Sequence, residues 1–245
     1  MTHNLDNLHA RLAAVVDAIR AAESRHGRPA GAVSLLAVSK THPSQAIRAA
    51  AAAGQRLFGE NYLQEALAKM AELADLDLEW HFIGPLQSNK TRPVAEHFAW
   101  VHSVDRLKLA ERLSAQRPAG LPPLNVCLQV NISAEASKSG CSLDELPTLA
   151  RAVAALPGLR LRGLMAIPAP AEGLEQARAP FRRLREALEA LNAEGLALDT
   201  LSMGMSDDLE AAIAEGATLV RVGSAIFGAR QTKPEHLPQS RRAAE

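Results

Sequence analysis

Eight short apolar runs, rich in β-branched residues, recur along the chain and alternate with Ala/Leu/Glu/Arg stretches of helical spacing. This alternation restricts the chain to βα units around a parallel sheet. The runs are 33–40, 57–61, 79–84, 100–105, 124–130, 159–167, 200–205 and 219–228; helical segments between them include 43–54, 106–116, 143–156, 179–195 and 207–216. Several of these segments stop at Gly, the usual left-handed helix cap. Ahead of the first run, Leu5, Leu8, Leu12, Val15, Val16 and Ile19 follow helical spacing and predict an N-terminal packing helix. Eight strands with interleaved helices in about 200 residues predict a single (β/α)8 TIM barrel with that extra helix, since open doubly wound sheets commonly hold five or six strands. An open sheet is the alternative, although the GxGxxG and GxxxxGK[ST] phosphate loops that accompany many of them are absent. Residues 1–230 read as one domain, and the polar, Pro-interrupted segment 231–245 as a disordered tail.

Charge and hydropathy narrow the partners. Lys+Arg and Asp+Glu both total 27, so no net field gathers polyanions or anionic lipid, and neither nucleic acid nor membrane is an expected partner. The basic run Arg178, Arg182, Arg183, Arg185 lies on a helix with Glu186 and Glu189 and predicts a solvated face with pairs such as Arg182–Glu186. No stretch approaches about 18 consecutive apolar residues, and the N-terminus lacks a signal-peptide core, so the expected compartment is the cytoplasm. Cys127 and Cys141 form no CxxC, and none of the eight histidines makes an HxH or HExxH pair, which argues against a disulfide scaffold or structural zinc.

In a barrel, polar residues at the C-terminal ends of strands are the candidates for chemistry. Six lysines occur, and Lys40 alone directly continues a strand. An amine held over an apolar barrel mouth loses hydration, its pKa falls, and it can attack an aldehyde; spacing alone favours the plainer reading of a surface lysine at a strand end. Arg221 alternates with Val220 and Val222, so with the valines against the helices it faces the barrel interior, where it needs an acceptor. A barrel carboxylate such as Glu60 is one candidate. Gly223 and Ser224 offer accessible backbone N–H groups, and Ser206 reads as the N-cap of the helix DDLEAAIAEG. The loops after strands 7 and 8 are the habitual phosphate site of this fold. Asp207 and Asp208 suit the helix dipole but would repel an anion, so they are expected to point outward.

The blocks AVSKTHP (37–43), FGENYLQE (58–65), WHFIGPLQSNK (80–90), NISAEASKSG (131–140), RGLMAIP (162–168), LSMGMSDDLEAAIAEG (201–216) and VRVGSAIFG (220–228) together resemble the pyridoxal phosphate homeostasis protein family, related to the N-terminal barrel of alanine racemase. The resemblance implies pyridoxal 5′-phosphate (PLP) as cofactor, held by a Schiff base to Lys40. It implies further that Ser206, Gly223 and Ser224 hold the phosphate, that Arg221 meets the pyridine nitrogen, and that Asn61, Met165 and Ile83 line the cofactor.

A guanidinium cannot lend its proton to the pyridine nitrogen, so the ring would delocalise negative charge poorly. Two-base racemisation needs an acid/base on each face of the substrate; alanine racemase brings a tyrosine from a second domain, for which this chain has no room, and Tyr62 belongs to the same barrel. The expectation is therefore PLP buffering or delivery, with apo-enzymes that need PLP as transient partners, no catalytic residue and little or no turnover. Racemase-like catalysis and a Schiff-base aldolase are the competing readings. His81 and His102, without an evident Asp partner, read as core or rim residues, and Lys138 as a solvated loop lysine or a second aldehyde acceptor. With no zipper seam, a monomer is expected.

Overall fold

The computed structural model describes residues 2–133 and 139–229, with side chains from residue 7 onward. Lys138 and the segment 231–245 lie outside the described residues. Eight parallel strands close in sequence order: β1 (Ser34–Val38), β2 (Leu57–Glu60), β3 (Glu79–Phe82), β4 (Trp100–Val104), β5 (Leu124–Gln129), β6 (Leu159–Met165), β7 (Thr200–Ser202) and β8 (Leu219–Val222). The ring is completed by β1 on β8, with Ser34 opposite Leu219 and Ala37 opposite Val222. This is a (β/α)8 barrel; the open sheet is excluded by the β1–β8 ladder.

Each strand is shorter at its C-terminal end than its apolar run. The difference is largest in the eighth run: the strand stops at Val222, and Ser224–Phe227 is a turn of helix, α9. Apolar β-branched composition persists through this turn, so period alone does not mark where the backbone changes from extended to helical. The other helices are α1 (Thr2–Arg25), α2 (Ser44–Ala52), α3 (Leu63–Glu72), α4 (Thr91–His97), α5 (Leu107–Gln116), α6 (Leu146–Ala154), α7 (Leu174–Ala193) and α8 (Leu209–Ala214).

Alternation along the strands separates two interiors. Leu35, Ala37, Val220 and Val222 point outward into the main core beneath the helices. Inside the barrel, Trp100, Cys127 and Met165 form a smaller apolar cluster, beside which the polar groups His81, His102, Ser202 and Arg221 are also buried. The two thiols are free and buried, and burial pushes both Cys127 and Cys141 up to about 12.

Helix α1 packs on α2, α8 and α9 and buries Leu8, Leu12 and Ile19, each contributing about 1.5–3 kcal/mol. Its end is pinned by Glu23, 1% exposed, which accepts from Arg20 and from the backbone N–H groups of Gly31 and Val33. Burial alone would raise the Glu23 pKa, but these donors outweigh it and hold the carboxyl below its usual range.

The basic face of α7 is not simply solvated. Arg178, Arg182 and Arg185 converge on Glu215, which is 3% exposed, at 2.8, 3.1 and 3.4 Å. These side chains tie α7 to the end of α8, and the i,i+4 pair formed is Arg185–Glu189. Helix periodicity identifies neighbours on one helix; it carries no information about a carboxylate arriving from the next.

Candidate functional site

The loops following β1, β2, β3, β6, β7 and β8 meet at the C-terminal mouth around a cavity of about 270 Å³. Its lining includes Lys40, Asn61, Ile83, Ser206, Arg221, Gly223 and Ser224. Met165 stands apart from this lining: it is 1% exposed and packs below the mouth with Trp100 and Cys127. Ile167, two residues further on the same face, reaches the cavity instead. An adjoining hollow of about 390 Å³, shaped by Pro168, Ala169 and Pro170, shares Met205 and Asp207 with it.

Lys40 lies two residues beyond β1, and its neighbours are anchored firmly. Ser39 Oγ donates to Glu60 Oε1 at 2.6 Å, and Lys69 Nζ donates to Ser39 O, Glu60 and Glu65 at 2.8, 2.7 and 2.5 Å. Thr41, whose φ of 67° is in the left-handed region, is held by its N–H to Glu65 Oε1. Such backbone costs about 1 kcal/mol or more and persists only when surrounding contacts fix it. Burial pushes the Glu60 carboxyl up, against the pull of Lys69. Lys69 is thus spent on orienting the segment that carries Lys40.

Arg221 is 4% exposed and has no carboxylate among its hydrogen-bond acceptors: it donates to Ser202 O at 2.6 Å, Ser202 Oγ at 2.8 Å and Ala166 O at 3.0 Å. Glu60, the carboxylate expected from the sequence, is occupied by Lys69. Burial lowers the guanidinium to about 10, partly offset by Asp208 and Cys127. It remains charged at neutral pH.

Gly223 precedes α9, whose first N–H groups have no partner inside the helix. A Cβ at Gly223 would come within 3.1 Å of Val38 O, a tight contact that would push the turn a few tenths of an ångström away from β1. Ser206 does not cap α8: Asp208 occupies that position, and its Oδ1 accepts from Met205 N–H at 2.6 Å. Ser206 instead sits in the preceding turn, on the cavity wall. Nor does the acidic pair turn wholly away, since Asp207 lines the cavity and burial raises the Asp208 pKa.

Two features leave room for a ligand that carries both a hydrogen-bond donor and an anionic group. Asn61 Oδ1 is buried at the cavity with no hydrogen-bond partner, a state that calls for a donor. The Gly223 turn presents backbone donors beside the Ser206 and Ser224 hydroxyls and the Arg221 cation. The donor set fits a phosphorylated, ring-bearing aldehyde.

Sequence reasoning passed over His42, which lines the cavity and stacks on Phe227 at 5.2 Å, joining the segment after Lys40 to α9. It also passed over a hydrogen-bonded series through the barrel, Glu79–His81–His102–Ser202, which reaches Arg221. The available signal was alternation: Glu79 and His81 are two apart on one strand and so share a face. Tyr62, 54% exposed, lies outside the lining.

Residues 10–231 match the family described as alanine racemase, N-terminal domain. The pyridoxal phosphate homeostasis protein of Pseudomonas aeruginosa is 69% identical over 219 residues, covering 89% of this chain and 94% of that protein. The chain belongs to the pyridoxal phosphate homeostasis protein family. A member from Escherichia coli strain K12 is 57% identical over 229 residues, covering 92% of this chain and 98% of that one. Among solved structures, PipY of Synechococcus elongatus with PLP bound is 42% identical, with a TM-score of 0.78, covering 90% of this chain and all of its own. Among the described residues of this family member, no helix is long and apolar enough to cross a membrane.

Proposed function

We propose that this chain binds pyridoxal 5′-phosphate at the barrel mouth through a Schiff base to Lys40, and that it buffers or delivers the cofactor inside the cell with little or no turnover. The observation carrying this reading is that Lys40, Arg221 and the Gly223–Ser224 turn face one cavity, in a family with a member whose structure holds PLP. When bound, the cofactor supplies an aldehyde that condenses with primary amines and a pyridine ring that accepts electron density. Lys40 provides the amine. Ser206, Gly223 and Ser224 receive the phosphate, Arg221 donates to the ring nitrogen, and Asn61 and Ile83 border the ring.

Arg221 decides between holding and transforming. A guanidinium still charged at neutral pH donates a hydrogen bond without surrendering its proton, so the ring nitrogen stays unprotonated and the electron sink is weak. The homeostasis name of the curated relatives supports the same reading. Residues 1–230 then act as one cofactor-binding unit in the cytoplasm, as a monomer, with apo-enzymes that need PLP as transient recipients.

Purified protein mixed with PLP should retain it through gel filtration and acquire visible absorption; protein that emerges colourless refutes the binding. Single-enantiomer amino acids incubated with loaded protein in deuterated water should keep their α-hydrogen. Rapid exchange would refute the carrier reading in favour of a racemase-like enzyme.

A further inference from the structure

The interior of this barrel contains a hydrogen-bonded line whose two ends dictate its direction. Glu79 Oε1 lies 2.9 Å from His81 Nε2, His81 Nδ1 lies 2.9 Å from His102 Nε2, His102 Nδ1 lies 2.8 Å from Ser202 Oγ, and Ser202 Oγ lies 2.8 Å from Arg221 Nη1. An ionised carboxylate only accepts and a guanidinium only donates. Neutral imidazoles and one hydroxyl between them then have a single solution. Arg221 donates to Ser202, Ser202 to His102, His102 through Nε2–H to His81, and His81 through Nε2–H to Glu79. Every bond points from the mouth toward the bottom of the barrel.

Both rings are 0% exposed, and burial, the largest influence on each, lowers their pKa values, which keeps them neutral. Glu79 is half-exposed at the opposite end, and its carboxyl is held below its usual range, foremost by the hydrogen bond from His81. Around that end stand Trp100, stacked on His81 at 5.3 Å, and Arg162, 4.7 Å above the Trp100 ring and paired with Asp199. Aligned hydrogen bonds polarise one another in a low-dielectric interior. Ser202 therefore meets Arg221 as an acceptor with its own proton already committed to His102.

We propose that Glu79, His81, His102 and Ser202 are positioning residues that set the orientation of Arg221, and through it the way the guanidinium meets the ring of the bound cofactor. The part concerning the cofactor rests on the PLP-binding reading; the direction of the line does not. The arrangement gives the buried cation acceptors without a hydrogen-bonded carboxylate, which would oppose the phosphate in addition to Asp207 on the cavity wall and Asp208, the carboxylate that acts on Arg221 through space. A salt bridge at Arg221 would hold the guanidinium equally well but bring that repulsion.

The test begins without cofactor. In ¹⁵N-labelled protein at pH 7.5, His81 and His102 should both appear as neutral Nε2–H tautomers, and Arg221 should show resolved, slowly rotating Nη protons. A cationic ring or an Nδ1–H tautomer at either histidine overturns the proposal. Glu79→Gln, at the half-exposed end, should mix the His81 tautomers; an unchanged spectrum counts against it. His102→Gln preserves a donor toward His81 and an acceptor toward Ser202, so it should keep the Arg221 signals, whereas His102→Leu should lose them. In loaded protein, His102→Leu should weaken PLP binding about tenfold and His102→Gln by less than about threefold. Equal behaviour of the two variants in both measurements means that the histidine only fills space. Failure of the wild-type protein to take up PLP defeats the binding reading, while the tautomers and the Arg221 signals still judge the line.

Discussion

A guanidinium buried inside a barrel with only carbonyl and hydroxyl acceptors is costly unless its charge is used. Arg221 is such a group, and the Gly223 turn that lines the same cavity is proposed to receive the phosphate of PLP. Gly223→Asp, which also sets a carboxylate among the phosphate donors, should reduce PLP retention by about a hundredfold or more. Ser206→Ala, which removes one hydroxyl from the cavity wall, should cost about tenfold. Both are read by equilibrium titration of the visible absorption, with thermal unfolding as the control for folding. At this scale the sequence was informative where alternation applied. Val220-Arg221-Val222 placed the cation inside, as the burial of both valines in the outer core shows. It failed where a strand ends, because Met165 and Ile167 share a face and only their depth along the barrel distinguishes a packed side chain from a lining one. The interior line was legible only at its Glu79–His81 end, because its members come from four strands, and His102 and Ser202 are 100 residues apart.

Helices and their connections were legible as periodicity, but their ties to one another were not. Glu215 is the clearest case, a buried carboxylate at the end of α8 gripped by three arginines of α7. Those arginines are 26%, 43% and 33% exposed, so solvent screens them and they rehydrate readily when the carboxylate is lost. Glu215→Ala should therefore cost about 2 kcal/mol, less than the loss of one partner from a wholly buried pair, measured as a shift in the urea midpoint at unchanged m-value. A shift near zero would mean that packing alone unites α7 and α8. The short helix α9 is the opposite lesson. Its residues Ser224–Phe227 continue the apolar character of β8, and only the backbone turn at Gly223 makes them a helix.

Across the whole molecule, closure of eight strands in sequence order follows from the number and spacing of the βα units, which is why the barrel could be anticipated before any contact was known. The protonation behaviour of the interior could not. His81 and His102 have pKa values lowered from 6.5 by burial, so below that pH the unfolded chain binds protons that the folded chain refuses. Stability must then fall as pH drops through about 6.5, by as much as about 1.4 kcal/mol per pH unit for each ring. Carboxylates with lowered values, such as Glu23 and Glu215, lose their contribution only below about 4.5, while Glu60, with a raised value, acts in the opposite sense. Urea unfolding between pH 7.5 and 5.5 should show the decline, and His102→Gln should flatten it.

The central claim is that Lys40 tethers PLP at the mouth of this barrel. Borohydride reduction of the loaded protein, followed by peptide mass mapping, should place one pyridoxyl group on the peptide containing Lys40, and Lys40→Ala should abolish it. A pyridoxyl group fixed instead at Lys69 or Lys138, or labelling that survives Lys40→Ala, would contradict the account.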